Sequence, residues 1–278
     1  MLAELLELVP AGVEEVNAPG QPDVVEYAVY GAAGELPELG DVHAAAGGAL
    51  VEVRTERVPD DWEERWKRFY HPLLVAGRLY VRPPWERPAE RGGVTEVVID
   101  PGRAFGTGTH ATTAMCLELL VQTAPRSRLR AAAGGGQRSL CDLGCGSGVL
   151  AIAAVKLGFS PVLAVDSEQS AIAESDRNAR ANYVQIELRR LDLRREPVPV
   201  ADVVTANLTT CLLELVAQSW VAGDTAPEAA IVSGFLATEG ERVREALKSA
   251  GLGEQRRVER GEWGALLASR PRRARAGR

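Results

Sequence analysis

A run of alternating glycines forms the first candidate binding site in the sequence. Residues 140–149 read LCDLGCGSGV, so Asp142 ends a short apolar run and Gly144, Gly146 and Gly148 follow at alternate positions. An apolar, alanine-rich segment comes next, at helical spacing. A strand, a glycine loop and a helix in this order bring the backbone close to a ligand at the carboxyl edge of a parallel sheet.

The glycine spacing distinguishes between possible ligands. A dinucleotide-binding loop reads G-x-G-x-x-G, whereas this loop reads G-x-G-x-G and begins two residues after an acid. A carboxylate at Asp142 repels a pyrophosphate but can take up a cationic amine. We therefore expect S-adenosyl-L-methionine, a zwitterionic nucleoside, as the cofactor rather than NAD. Asp142, Gly144 and Gly146 are assigned to its binding site.

Acidic residues also follow the next two predicted strands. Asp166 ends the apolar run 162–166, where a carboxylate can accept hydrogen bonds from both ribose hydroxyls. The alternative role for Asp166 is to cap the helix that follows. Asp192 comes after a third run, and it either accepts from an adenine amino group or belongs to a surface turn.

The segment 100–113 reads DPGRAFGTGTHATT and precedes a predicted helix at 114–120. The free N–H groups at a helix N-terminus can hold a carboxylate. The expected cofactor contacts of this segment are Phe105, Gly106, Thr107 and Thr113. The alternative is an ordinary helix start with Thr109 or Thr112 as N-cap. His110, within the same segment, is either structural or catalytic.

Asn207 ends the fourth predicted strand and Leu208 follows it, and we predict these two to be the catalytic residues. An amine that accepts a methyl group needs a free lone pair, and the ammonium form has none. The carbonyl of Asn207, with backbone carbonyls near Leu208, can accept the amine N–H groups and orient the lone pair. No general base is then required. Asn207 is also assigned to the cofactor site, and its alternative role is that of a turn residue.

Repeated strand–helix units position these residues. The pattern predicts a doubly wound, mainly parallel α/β sheet with an antiparallel C-terminal hairpin at 254–259 and 265–269. The other strands are expected at 139–142, 162–166, 186–191, 202–206 and 230–234. Helices are expected at 149–157, 170–182, 212–220 and 238–250.

The first 58 residues differ from the remainder in charge and in pattern. They contain eleven acids and two arginines, a net charge of −9, which disfavours nucleic acid and favours a basic protein partner. A solvated acidic surface is the alternative. Two strand-like runs, at 12–16 and 23–30, belong to an α-β-β-α-β pattern. One more strand in front would complete a small α+β ferredoxin-like unit.

These patterns divide the chain into three parts. Residues 1–58 are expected to form a substrate-recognition domain and residues 86–278 a catalytic domain. Residues 59–85 are expected to form a linker, in which Trp62, Trp66 and Phe69 recur at helical spacing and favour packing between domains.

Composition excludes several classes of protein. No apolar run approaches the roughly 18 residues that span a bilayer, and the N-terminus lacks the basic residues of a signal peptide. We expect a monomer in the cytoplasm, with no membrane partner and no metal. The four cysteines show no C-x-x-C spacing, and they are expected to pack as reduced, small apolar residues.

Taken together, these residues resemble the ribosomal protein L11 methyltransferase family (PrmA), which has the class I S-adenosylmethionine methyltransferase fold. The matching segments are 62–72, 100–113, 142–148, 206–208 and 261–263. The resemblance implies a seven-stranded sheet, an N-terminal domain that grips the substrate, and methylation of lysine side chains and an N-terminal amine on one basic ribosomal protein. By position, Thr113, Gly144, Asp166 and Asn207 match the family's cofactor contacts.

Two other functions remain open on the sequence alone. The first is a methyltransferase of the same fold that acts on another protein, RNA or a small molecule. The acidic N-terminal region opposes RNA, and the lack of a proline-proline-aromatic run after Asn207 opposes the groups that methylate glutamine or adenine. The second is a catalytically silent module that binds the cofactor and a partner.

Overall fold

The chain divides into two compact units, Met1–Glu63 and Glu64–Arg278. The computed structural model describes the backbone of two strands in the first unit, and in the second it describes residues 71–89, 93–100, 110–124 and 137–271. In the first unit, β1 (Glu14–Asn17) pairs antiparallel with β2 (Val25–Ala28). β2 lies within the predicted run 23–30, whereas β1 overlaps the run 12–16 and extends one residue beyond it, to Asn17.

The rest of the ferredoxin-like pattern lies outside the described residues, as does most of the predicted linker, including Trp62, Trp66 and Phe69. The three-part division of the chain and the role of the first domain therefore stay predictions.

A seven-stranded sheet forms the centre of the second unit, with the strand order β11-β12-β10-β9-β6-β7-β8. Neighbouring strands from β10 to β8 are parallel, and β12 runs antiparallel to both of its neighbours. This confirms the predicted α/β sheet with its antiparallel hairpin. The strands are β6 (Leu140–Leu143), β7 (Val162–Asp166), β8 (Glu187–Arg190), β9 (Val203–Asn207), β10 (Ala229–Leu236), β11 (Gly253–Arg260) and β12 (Trp263–Ser269).

Helices cover both faces of this sheet. One buried cluster includes residues of the helices that precede and follow β6, and the other includes residues of the helices that follow β9 and β10. Since both faces are covered, the central strands are mainly apolar, and all four residues of β6 are buried, including Asp142. The helices are α1 (Ala111–Thr123), α2 (Val149–Leu157), α3 (Gln169–Ala181), α4 (Thr210–Ala222) and α5 (Gly240–Ser249).

A smaller sheet precedes α1 and leads the chain toward the candidate site. Its strands are β3 (Leu73–Val75), β4 (Leu79–Arg82) and β5 (Thr95–Val98), with β4 parallel to β5 and antiparallel to β3. The guanidinium of Arg82 lies 3.1 Å from the Glu96 carboxylate and ties the two longer strands together. The three-residue β3 is too short to show a pattern in the sequence.

Three of the four cysteines are buried, as expected of small apolar residues. They are Cys116, Cys141 and Cys145. Cys211, in the first turn of α4, is exposed, so the expectation is wrong at that position. Among the helices of the described ranges, none has the length and apolar character to cross a membrane.

Candidate functional site

A cleft opens at the carboxyl ends of the parallel strands, where the direction of winding changes. Strand β6 pairs with β7 on one side and β9 on the other, while α2 and α4 cover opposite faces of the sheet. Ligands of doubly wound sheets bind at such a point. Five predicted site residues line the cleft: Gly144, Gly146, Asp166, Asn207 and Leu208. The remaining lining residues are Cys145, Leu150, Ser167, Leu191, Asp192, Leu193, Arg194 and Leu212.

The glycine loop adopts backbone conformations that favour glycine. Gly144, Gly146 and Gly148 have φ angles of 73°, 51° and 81°. A Cβ atom on Gly144 would lie 2.5 Å from Cδ2 of Leu208, and one on Gly148 would lie 2.9 Å from Oγ of Ser175. The loop is thus held between the end of β9 and α3, with its backbone exposed to the cleft.

Asp166 connects this loop to the next strand. Its Oδ2 accepts a hydrogen bond from the Gly146 N–H at 3.0 Å, and its Oδ1 accepts from the Glu168 N–H at 3.0 Å. The N-cap of α3 is Glu168, so Asp166 shapes the turn before the helix and does not cap it. Each carboxylate oxygen retains a lone pair for a further donor. Ribose binding by Asp166 therefore stays a prediction that its position in the cleft supports.

Asp142 lies behind the glycine loop, and the structure does not place it on the cleft surface. Its side chain is 1% exposed, and Oδ1 accepts from the Thr205 hydroxyl at 2.7 Å. Oδ2 makes no hydrogen bond within the described residues. Burial raises the pKa of this carboxyl to about 7, while the bond from Thr205 acts in the opposite direction. Its direct contact with a cofactor amine stays a prediction.

The orientation of the Asn207 amide follows from its partners on α1. Nδ2 donates to the hydroxyl of Thr112 at 3.1 Å and to the hydroxyl of Thr113 at 3.2 Å. Both N–H groups are thereby used, and no described residue donates to the carbonyl oxygen. Since Asn207 lines the cleft, this oxygen is left to accept from a ligand. Thr113 itself is 1% exposed, and its direct contact with the cofactor stays a prediction.

The start of α1 differs from the expected one. His110 is the N-cap, and its Nδ1 accepts from the Thr112 N–H at 3.4 Å, so an N-cap at Thr112 is wrong. The imidazole also meets the indole of Trp263 edge to face, with ring centroids 5.2 Å apart. The residues that most often cap helices are short side chains with an oxygen acceptor. A ring nitrogen of histidine can accept in the same way, but sequence preferences do not predict it.

Three predicted cofactor residues, Phe105, Gly106 and Thr107, lie outside the described ranges, as does Thr109. The strand that leads into their segment is anchored by two asparagines that the sequence analysis missed. Asn182 pairs with the backbone of Val98, and Asn178 accepts from the Asp100 N–H at 3.0 Å. Two asparagines four apart in a predicted helix were the available signal, because they share one helix face.

Asp192 lies in a turn, as one of its two possible roles requires, and it also faces the cleft. It lines the cleft between Leu191 and Leu193, and its Oδ1 accepts from the Arg194 N–H at 3.0 Å, as in a turn. The two leucines offer an apolar surface beside a carboxylate. This combination suits an adenine ring with an exocyclic amino group, and adenine binding here stays a prediction.

The strand order, with the antiparallel β12 between β10 and β11, and a glycine-loop cleft at the winding change define a class I methyltransferase domain. Residues 37–271 match the sequence model of a family described as ribosomal protein L11 methyltransferase (PrmA). The chain belongs to this family. It is accordingly an S-adenosylmethionine-dependent protein methyltransferase.

Individual relatives agree with this assignment. The ribosomal protein L11 methyltransferases of Symbiobacterium thermophilum and Desulforapulum autotrophicum are each 34% identical to the chain, and each match covers 91% of the chain and 83% of the relative. A crystal structure of a ribosomal protein L11 methylase from Lactobacillus delbrueckii subsp. bulgaricus superposes with a TM-score of 0.62 at 27% identity. That match covers 72% of this chain and 99% of the other.

The residues of the cleft fit S-adenosyl-L-methionine. Behind the loop, Asp142 has a buried carboxylate oxygen without a hydrogen bond from the described residues, and a cation in the cleft would favour its ionised form. The positive φ angles of the glycines let backbone approach the ligand closely. Asp166 and Asp192 place acceptors at two neighbouring strand ends, where hydroxyl and amino groups of a nucleoside can donate.

Proposed function

We propose that this enzyme transfers methyl groups to lysine side chains and to the N-terminal amine of ribosomal protein L11. The observation that carries the proposal is the orientation of Asn207. Its amide nitrogen is occupied by two threonine hydroxyls, and its carbonyl oxygen is left as an acceptor in the cleft. An acceptor of this kind can bind the N–H groups of an incoming amine.

Each residue has a defined part in the proposed reaction. The bound cofactor supplies an electrophilic methyl group on a sulfonium. Asp166 holds the ribose, Asp142 provides negative charge for the cofactor's ammonium, and Leu191 and Leu193 flank the adenine. Asn207 and the backbone carbonyl of Leu208 accept from the amine and aim its lone pair at the methyl group.

The site must also favour the neutral amine. A free lysine has a pKa of about 10.4, so only a small fraction has a free lone pair at neutral pH. Desolvation in the cleft and the nearby sulfonium charge both lower the pKa of a bound amine. An uncharged acceptor such as Asn207 does not oppose this, whereas a carboxylate in its place would stabilise the ammonium. Water can take the proton, and no general base is needed.

The acidic N-terminal region is the proposed recognition domain. Its charge of −9 suits a basic protein such as a ribosomal protein. We further infer that the enzyme acts as a monomer in the cytoplasm, where ribosomal proteins are made, and without direct contact to nucleic acid.

Mass spectrometry after incubation with labelled cofactor tests the substrate. The total ribosomal proteins and ribosomal RNA of a strain that lacks the endogenous enzyme are the substrates. We expect the label on L11 alone, at lysines and at the N-terminus. If the label appeared in RNA or in a different protein, that molecule and not L11 would be the substrate. Tight cofactor binding without transfer to any fraction would favour a silent binding module.

A further inference from the structure

We propose that His110 is a positioning residue that sets the orientation of the Asn207 amide through the hydroxyl of Thr112. The proposal rests on the role given to Asn207 above. Three side chains form a chain of hydrogen bonds: His110 Nδ1 is 2.7 Å from Thr112 Oγ1, which is 3.1 Å from Asn207 Nδ2. Asn207 lies on β9, 95 residues from Thr112 along the chain.

The cap of α1 determines the direction of this chain of hydrogen bonds. The Thr112 backbone N–H donates to Nδ1 at 3.4 Å, and a backbone N–H can only donate. Nδ1 is therefore an acceptor, and the ring proton is on Nε2. The Thr112 hydroxyl can only donate to an unprotonated Nδ1, so its oxygen is left to accept from Asn207.

The consequence for Asn207 follows directly. An acceptor at Thr112 attracts the amide nitrogen and repels the carbonyl oxygen. A rotation of the amide by 180° would place two oxygen lone pairs against each other at Thr112. His110 thus selects the amide orientation whose carbonyl oxygen is presented to the cleft, although it does not line the cleft itself.

The environment of the imidazole supports the neutral form that this arrangement requires. Burial lowers the pKa of His110 below its usual range. The edge-to-face contact with Trp263 fixes the plane of the ring, so that Nδ1 stays directed at the start of α1.

Four single variants at His110 and Thr112 test this role. His110→Ala and Thr112→Val should each lower kcat about three- to tenfold, the range for one net hydrogen bond. His110→Asn keeps a capping acceptor for the Thr112 N–H and should restore most of the activity. Thr112→Ser, which keeps the hydroxyl, should also be close to wild type. Circular dichroism and thermal unfolding monitor the integrity of α1.

A double-mutant cycle identifies the path of the effect. In an Asn207→Ala background, His110→Ala should cause no further loss of kcat, because the amide through which it acts is gone. Losses that multiply in the double variant would overturn the proposal. So would a wild-type kcat for His110→Ala when Asn207→Ala is impaired. If Asn207→Ala itself retains full activity, the proposed function of Asn207 fails.

Nitrogen-15 NMR of the histidine rings gives a readout that does not depend on activity. The full chain contains three histidines, and the His110→Asn variant identifies the signals of His110. We expect the Nε2–H tautomer at neutral pH. An Nδ1–H tautomer would reverse the hydrogen bonds and overturn the proposal, even if Asn207 proves essential for methyl transfer.

Discussion

At the scale of single residues, we expect the buried carboxyl of Asp142 to couple cofactor binding to pH. Burial raises its pKa to about 7, so the group is about half protonated at pH 7 without ligand. A cation bound nearby favours the ionised form. Binding of S-adenosyl-L-methionine should therefore release about half a proton at pH 7 from this group. Affinity should increase as pH rises toward 8 and then level off.

Titration calorimetry in buffers of different ionisation enthalpy measures this release. Asp142→Asn is the matched control, because it keeps the shape of the side chain and its acceptor for Thr205 but cannot titrate. The variant should lose the part of the proton release that belongs to this site. An identical release in both proteins would place the titrating group elsewhere.

The second prediction at this scale concerns the binding of the cofactor ribose by Asp166. Asp166→Ala should weaken cofactor binding by about 10- to 100-fold, because charge-assisted hydrogen bonds to the ribose hydroxyls are lost. The substitution also removes the bonds to the Gly146 and Glu168 N–H groups. Asp166→Asn keeps one carbonyl acceptor, so its affinity for the cofactor should lie between that of wild type and that of Asp166→Ala. A calorimetric isotherm equal to that of wild type would place the ribose elsewhere in the cleft.

At the scale of elements, β10 approaches the backbone of Leu208 at Gly234. This glycine has a φ of 90°, and a Cβ atom on it would lie 2.6 Å from the Leu208 carbonyl oxygen and 2.8 Å from its nitrogen. The Leu208 N–H donates to the carbonyl of Ser233 at 2.9 Å. The end of β10 therefore fixes the carbonyl that we assign to the amine.

Gly234→Ala should displace Leu208 and lower kcat by about 100-fold, the loss expected for a displacement of about 1 Å at a reacting centre. Gly251→Ala is the matched control: its φ is 79°, but nothing lies within 4 Å of the added carbon. Both variants should lose about 1–3 kcal/mol of unfolding free energy to backbone strain. Only Gly234→Ala should lose turnover. Equal kcat values for Gly234→Ala and Gly251→Ala would show that the position of Leu208 does not matter for the reaction.

A comparison of the observed helices and strands with the predicted ones shows which parts of the fold the sequence could predict. The bounds of β7 and α2 are those predicted, because a buried strand and an apolar, alanine-rich helix each carry a strong periodic signal. The order of acids and glycines at strand ends likewise located most of the cleft. The cap at His110 was missed, since it depends on a ring nitrogen. The pairing of Asn207 with Thr112 was also missed, because it depends on tertiary packing across distant segments.

At the scale of the whole molecule, charge is distributed unevenly along the chain, and the proposed recognition region is the acidic part. Residues 1–58 have a net charge of −9, whereas the chain as a whole has −6. The remaining residues are therefore slightly basic. Attraction between a basic ribosomal protein and the acidic region should raise the association rate and decrease with added salt. We expect the cofactor to bind in the cleft at the strand ends, where short contacts dominate.

The two substrates should therefore respond differently to ionic strength. Raising salt from about 0.05 to about 0.3 M should increase KM for L11 several-fold and leave KM for the cofactor nearly unchanged. Neutralising three acids of the first region, with Glu35→Gln, Glu38→Gln and Asp41→Asn, should raise KM for L11 at low salt and reduce its salt dependence. The control removes three exposed acids of the catalytic unit, with Glu187→Gln, Asp224→Asn and Glu228→Gln. If the salt dependence of KM for L11 falls equally in both triple variants, the net charge of the whole protein attracts L11. If neither does, recognition rests on shape and apolar contact, and the acids of the first region are a solvated surface.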